Sequence, residues 1–359
     1  MSGTQPYIDL IRSQRNISQP LYLLVDPLET VDEDEAYSLE SLENTLGKAR
    51  IEIVPRADLI HTPADCPHLV LLAQAGEPAR TGADSILNAT IEYARHEHPA
   101  ERRYICGWLQ SSLDLGPLAE VLAQRMTFAS NTATIAVVNA ADPSRANTRI
   151  YPVYEPLRQE LIAYECHETH PDIHAQWLGE ISQWIIPASN QGFLCFKAES
   201  AGAADTANVA DAANATDATD AANTADSPVA LPQNAVNAQI DAPLVANVLR
   251  MWQQLATRPI SAQRQQQMPL LRRGPFELPQ GAAYMALQQL HAAHRRGLTN
   301  MRDQMMFAIM RLTMHPRIEQ HAVIQACIDR AIRGEDTLAA QIGAISHVQM
   351  MRILQELNA

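Results

Sequence analysis

Aromatic side chains are scarce in this chain of 359 residues, at 5%. Ala, Leu, Met and Gln are plentiful instead, a balance that favours helices packed by aliphatic groups over an all-β sandwich. Basic charge is also short: 27 Lys and Arg face 40 Asp and Glu, a net charge of −13. That deficit argues against nucleic acid or an anionic membrane as the main partner, since both are bound chiefly by basic side chains. No stretch reaches 18 uncharged apolar residues. The opening MSGTQPYIDLIRSQRN has neither a basic region followed by a long apolar run nor a small-residue cleavage site, so a cytoplasmic protein is expected. The five cysteines, Cys66, Cys106, Cys166, Cys195 and Cys327, never form CxxC, as expected for buried free thiols in a reducing compartment rather than a disulfide scaffold. GxSxG, GxxxxGKS/T, GxGxxG and HExxH are all missing, and a non-enzymatic chain without a cofactor is the expectation.

What is present divides the chain. Residues 198–238 are built almost wholly from Ala, Asn, Asp, Thr and a few small apolar residues, with no aromatic, Lys or Arg. Asn, Asp and Thr at that density offer the backbone competing local hydrogen bonds, and little is available to bury before Leu231, so a disordered linker is predicted. Residues 1–197 carry a net −12, the linker −6, and residues 239–359 a net +5. Before the linker, short apolar runs at Leu21–Val25, His68–Leu72, Thr134–Val138 and Gly192–Phe196 read as strands. Helical patterns at Leu39–Leu46, Ser85–Arg95, Leu115–Met126 and Leu157–Tyr164 alternate with them. After it, Pro243–Thr257, Gly281–Arg295, Met301–Thr313, Ile318–Ile332 and Leu338–Leu357 all read as helices. The fold class is therefore an α/β N-terminal lobe, 1–197, joined through the linker 198–238 to a separate all-helical C-terminal lobe, 239–359.

The densest group of metal-ligand types is Cys166, His167, His170 and His174, which would suit zinc if brought together. Pro171 interrupts any continuous helix through them, and a polar loop with solvated histidines is the plainer reading. Ser111 and Ser112 lack the flanking glycines of a strained nucleophile turn, and the acidic run Asp32–Glu35 lacks the glycine and alternate spacing of a calcium loop. Met301, Met305, Met306, Met310 and Met314 recur along one helical segment, where flexible thioethers serve either core packing or an adaptable partner surface. Arg272–Arg273 and Arg295–Arg296 read as solvated helix ends.

Several segments, taken in order, resemble the effector adaptor or chaperone family of bacterial type VI secretion, whose defining domain was long catalogued as of unknown function. They are Pro20–Asp26, an opening strand ending in Asp; Cys66–Leu72; and Cys106–Leu113 leading into Leu118–Met126. Arg149–Leu157 with Trp177–Pro187 is the strongest pair, with Glu155 where the family carries Asp; Arg296–Asp303 and Met314–His321 are similar to helical segments often appended to it. The resemblance implies a binding protein that loads a toxic effector, held by its N-terminal region, onto the VgrG spike, with no nucleic acid or membrane as partner. On this reading the partner-binding residues are Trp108, Tyr154, Pro156 and Trp184 in the first lobe and Met305, Met306 and Met310 in the second. The alternative is a zinc enzyme or regulator built on the Cys166 cluster.

Overall fold

A computed structural model of the chain describes residues 11–77, 81–125, 127–131, 134–137, 149–169, 171–198, 231–257 and 277–358. In chain order the first elements are β1 (Leu21–Val25), α1 (Leu39–Leu46), β2 (Ile51–Ile53), β3 (His68–Ala73), α2 (Thr81–His96), β4 (Ile105–Ser111) and α3 (Leu115–Arg125). There follow β5 (Thr127–Asn131), β6 (Thr134–Val137), β7 (Arg149–Pro152), α4 (Pro156–Thr169), α5 (Pro171–Leu178), β8 (Ile181–Pro187) and β9 (Phe193–Lys197). The helical region then runs through α6 (Gln233–Thr257), α7 (Ala282–Arg295), α8 (Met301–Thr313), α9 (Ala322–Ile332), α10 (Leu338–Ala344) and α11 (His347–Asn358). Among the described residues no helix is long and apolar enough to cross a membrane.

The main sheet has the order β2-β3-β1-β4-β8-β9, and every pairing in it is antiparallel. The alternation of strands and helices thus builds an antiparallel sheet covered on both faces, not a run of parallel crossovers. Alternation along β1 divides its side chains: Leu21, Leu23 and Val25 face a core shared with α1 and α2, and Tyr22 and Leu24 face one shared with α3, α4 and α5. Strands β6-β5-β7 form a second, antiparallel sheet.

β4 is buried at every position and sits between β1 and β8, yet its Ile-Cys-Gly-Trp-Leu-Gln-Ser lacks the unbroken apolar run that marks a strand in sequence. Gly107 is required at its centre. Its φ is +140°, and a Cβ there would lie 2.5 Å from the Ile185 carbonyl and 2.6 Å from the Trp184 indole nitrogen. Ser111, at the end of this strand, spends its hydroxyl on the Glu180 carbonyl (2.8 Å) and accepts from the Leu113 N–H (3.1 Å).

Helix ends follow local chemistry. Ser38 caps α1 by accepting from Ser41 N–H, Asn300 caps α8, Thr337 caps α10, and prolines open α4 and α5. The span Ile318–Ile332 is broken because His321 leaves the helix to cap α9, its ring accepting from Val323 N–H. Leu338–Leu357 likewise splits where Ser346 accepts from Gln349 N–H and starts α11.

The stretch predicted as linker needs correction at its end. α6 begins at Gln233, and Ala235, Val236 and Ala238 are buried. Asn234, instead of competing with its own backbone, donates to the carbonyl and carboxylate of Glu165 on α4 (3.1 and 2.7 Å). Residues 199–230 lie outside the described residues, as do Arg272–Arg273. Pro243 stands inside α6, where it cannot donate to the Gln239 carbonyl one turn earlier. Arg158 of α4 takes that place, its Nη1 donating to Gln239 O at 2.8 Å. α4 is thus built into both regions: Ile162 and Cys166 face the sheet, and Leu161 packs with Val245, Leu249, Ala286 and Leu287 of α6 and α7.

Candidate functional site

Where β1 ends, the start of α4, the approach to β4 and the side of α6 enclose a cleft of about 410 Å³. Arg56, Arg102, Arg158 and Glu155 line it on the sheet side, and Ala242, Pro243 and Ala246 on the α6 side. Its inner wall is a polar network of residues far apart in sequence. Asp26, fully buried, accepts from Leu28 N–H (3.1 Å), from the Arg102 guanidinium (3.2 Å) and from the Tyr154 hydroxyl (3.2 Å). The Tyr154 hydroxyl in turn accepts from Arg56, whose other nitrogens grip both oxygens of Asp58 (3.0 and 2.6 Å). Glu155 divides its oxygens between Arg102 (3.5 Å) and Arg158 (2.8 Å).

Burial sets the electrostatics. It raises the Asp26 carboxyl above its ordinary range, with Leu28 N–H and Arg102 opposing that rise, and it pushes the Tyr154 phenol far up, helped by the Asp26 charge. Beside this wall Arg103 is buried, its charged form disfavoured by loss of water. One of its nitrogens donates to Ala188 O (2.9 Å), and Glu97 and Glu160 supply the nearby negative charge. Glu160 accepts from Ser189 N–H and Oγ (2.8 and 2.9 Å). The carboxyl of Glu97 is pushed up to about 7 by desolvation, against the pull of Arg103. The network thus holds two lengths of loop and a helix start, and offers Arg102 and Asp58, 36% and 37% exposed, as its reachable charges.

The residues read from sequence as partner contacts fare unequally. Trp108, Tyr154, Trp184 and Met310 are buried packing groups in this fold, whereas Pro156, also buried, lines the cleft. Trp108 donates to Thr90 Oγ1 (3.2 Å) between β4 and α2, and Trp184 closes over Gly107. Met305 and Met306 are half-buried against the helical cores, and Met301 alone of the methionine series is well exposed, at 67%. The stripe fails as a surface because α8 is surrounded by α6, α7 and α10.

The Cys/His group is not a loop. Cys166 is buried on α4 with its thiol raised to about 12 by desolvation, and His167 is exposed on the same helix. His174, on α5, packs between Trp177 (centroids 6.0 Å) and the edge of Phe196 (4.8 Å), and burial lowers its pKa to about 4. Among the described residues no three of His, Cys, Asp and Glu stand close enough to hold a metal ion; His170 lies outside them.

Sequence reasoning passed over Arg56, Arg102, Arg103 and Arg158. One signal was available: in a chain short of basic residues, Arg102–Arg103 stand together at the mouth of the central strand. No protein-family model, no curated protein and no solved structure matches the chain. Of the segments that resemble the type VI adaptors, Arg149–Leu157 lines this cleft through Ile150, Pro152, Glu155, Pro156 and Leu157, and Pro20–Asp26 stands behind it, Asp26 accepting from Arg102 and Tyr154.

Proposed function

We propose that this protein is a non-enzymatic, cytoplasmic adaptor or chaperone of type VI secretion, binding the N-terminal region of a toxic effector and bringing it to the VgrG spike. The observation that supports the reading is that two segments resembling the adaptor family, 128 residues apart at Asp26 and Tyr154, are bonded to each other behind a cleft that Glu155, Pro156 and Leu157 line and α6 closes. A cleft with apolar surface from Ala242, Ala246 and Leu157 and reachable charge at Arg102 suits an extended or helical peptide segment. The effector segment sits in the cleft that the sheet region and α6 form together, and the spike takes another face of the same scaffold. Holding effector and spike on one scaffold replaces a bimolecular encounter by a local one.

The test is affinity purification of the tagged chain from its native host, with mass spectrometry of the partners and metal analysis of the same sample. A VgrG-type spike protein recovered together with a toxin-like protein is the expected result. The bare chain carrying stoichiometric zinc would overturn the reading in favour of the Cys166 cluster.

A further inference from the structure

A second groove, of about 340 Å³, lies wholly within the helical region. Asn237, Ile240, Asp241 and Leu244 follow one another at helical spacing on one face of α6, Leu290, His291 and His294 line the groove from α7, and Gln304 from α8. Ala242 and Ala246, which line the first cleft, each come two residues after Ile240 and Leu244, about 200° round the helix, so α6 stands between the two openings. The core that α6 shares with α7 is filled by other residues, Ala238, Ala242, Val245 and Leu249. Ile240 is left 47% exposed, and Met301, one turn before Gln304 on α8, 67%.

The polar groups of the groove are mostly engaged. His291 Nε2 stands 3.2 Å from Asp241 Oδ2, Asn237 Oδ1 accepts from Gln233 (2.9 Å), and Gln304 donates to Leu298 O (2.7 Å). The charges beside it are not. α7 runs out through His294, Arg295 and Arg296, and α8 begins at Met301 and Arg302, all five exposed. Among the described residues none of these three arginines meets a carboxylate, whereas Arg311, Arg333 and Arg352 of the same region each hold a glutamate. Three free guanidinium groups thus stand by an apolar groove in a chain with 40 acidic side chains.

We propose that this groove docks an acidic amphipathic helix of a partner protein, its apolar face lying between α6 and α7 against Ile240, Leu244 and Leu290 and its carboxylates meeting Arg295, Arg296 and Arg302. Charge complementarity sets the sign of the partner. The one carboxylate among the lining residues, Asp241, is paired with His291, so the arginines decide it. The walls set the partner's form. A helix offers no free N–H or C=O along its middle, so an extended segment laid here would leave its own backbone groups without partners, whereas a helix brings them already bonded. Two helices side by side also leave a channel that the ridge of a third fills, anchored by residues three and four apart. This docking face is separate from the first cleft and stands whether or not the type VI reading does.

The probe is a library of random peptides of about 16 residues, enough for four turns of helix, displayed on phage and selected against the full chain. Enriched peptides are expected to carry apolar residues three and four apart with Asp or Glu beside them. Measured by fluorescence anisotropy, their binding should weaken about tenfold in Ile240→Arg, and likewise in a variant combining Arg295→Glu, Arg296→Glu and Arg302→Glu, and should fall as salt rises. Every substituted side chain is exposed, so both variants should melt as the wild type does. Enriched peptides without acidic residues, an unaltered affinity in either folded variant, or no enrichment would each overturn the proposal. So would peptides lost only in Ala246→Trp, which belong to the first cleft. An oligomeric wild type that Ile240→Arg turns into a monomer would overturn it by giving the groove to a second copy of the chain.

Discussion

Around β4 and α4 the sheet region keeps Asp26, Arg56, Arg103 and Glu160 out of water, and its longest links span much of the chain: Tyr154 bonds Asp26 across 128 residues and Arg56 across 98. In the helical region the buried Asp303 caps α10 at Leu338 N–H, 35 residues away, and Glu319 pairs with Arg311 only eight residues away. Among the described residues its other buried polar side chains are Gln239, His315 and Gln341, and its cores are otherwise largely Ala, Leu, Ile and Val, with Trp252, Phe307, Met310 and Cys327. The difference teaches where specificity is stored. Aliphatic helix packing tolerates repacking, whereas a buried polar network holds one geometry and is costly when a member is missing. The cleft lies between this network and α6.

The comparison breaks most visibly at Arg103. Arg103→Met leaves Glu97 and Glu160 without their counter-charge and is expected to cost roughly 3–5 kcal/mol in urea unfolding, against about 1 kcal/mol for Asp303→Ala, which removes a helix cap. Equal losses would erase the distinction. Next comes a pair of glycines. Gly107→Ala forces a Cβ into the Ile185 carbonyl at a positive φ and should destabilise by about 3 kcal/mol, whereas Gly343→Ala in α10 meets open space and should stabilise by about 0.5–1 kcal/mol in thermal melts.

A smaller effect tests the seam between the regions. Arg158→Met leaves the Gln239 carbonyl unserved beside Pro243 and is expected to cost about 1–3 kcal/mol. Pro243→Ala, which restores the helical N–H, should recover more stability in the Arg158→Met background than in the wild type, and additivity in that double-mutant cycle would deny the compensation. The smallest is a slope. Because the folded pKa of Glu97 is raised from 4.5 to about 7, its contribution is full below pH 4.5 and is lost as pH rises to 7. His174, lowered from 6.5 to about 4, contributes above pH 6.5 and loses that contribution as pH falls to 4. Glu97→Gln should therefore flatten the fall in stability between pH 4.5 and 7 and leave the acid side unchanged.

The same contrast explains how much could be read in the sequence. α1 and α8 fall on their predicted residues, and α7 and α9 begin within a few residues of them, because helix periodicity and caps are local signals. β2, β4, β5, β7 and β8 escaped, since Ile105–Ser111 and Ile181–Pro187 owe their strand form to neighbours in the sheet and mix polar with apolar residues. α6 was predicted to start ten residues late because Pro243 reads as a helix start, and only the arginine on α4 shows why the helix continues through it. At the site, Pro156 was singled out and lines the cleft, with Tyr154 buried behind it, but Asp26, Arg56 and Arg102 have no sequence spacing that joins them. Long-range register alone assembles that wall.

The central claim, that the chain acts by holding a partner segment in this cleft, is tested most directly with Ala246→Trp, which fills the cleft from the side of α6 and leaves the polar network intact. Affinity capture by the wild type and the variant should be compared, with melting temperatures measured on both. The account predicts that the variant melts as the wild type does and loses the effector. A folded variant that recovers effector and spike as fully as the wild type would contradict it.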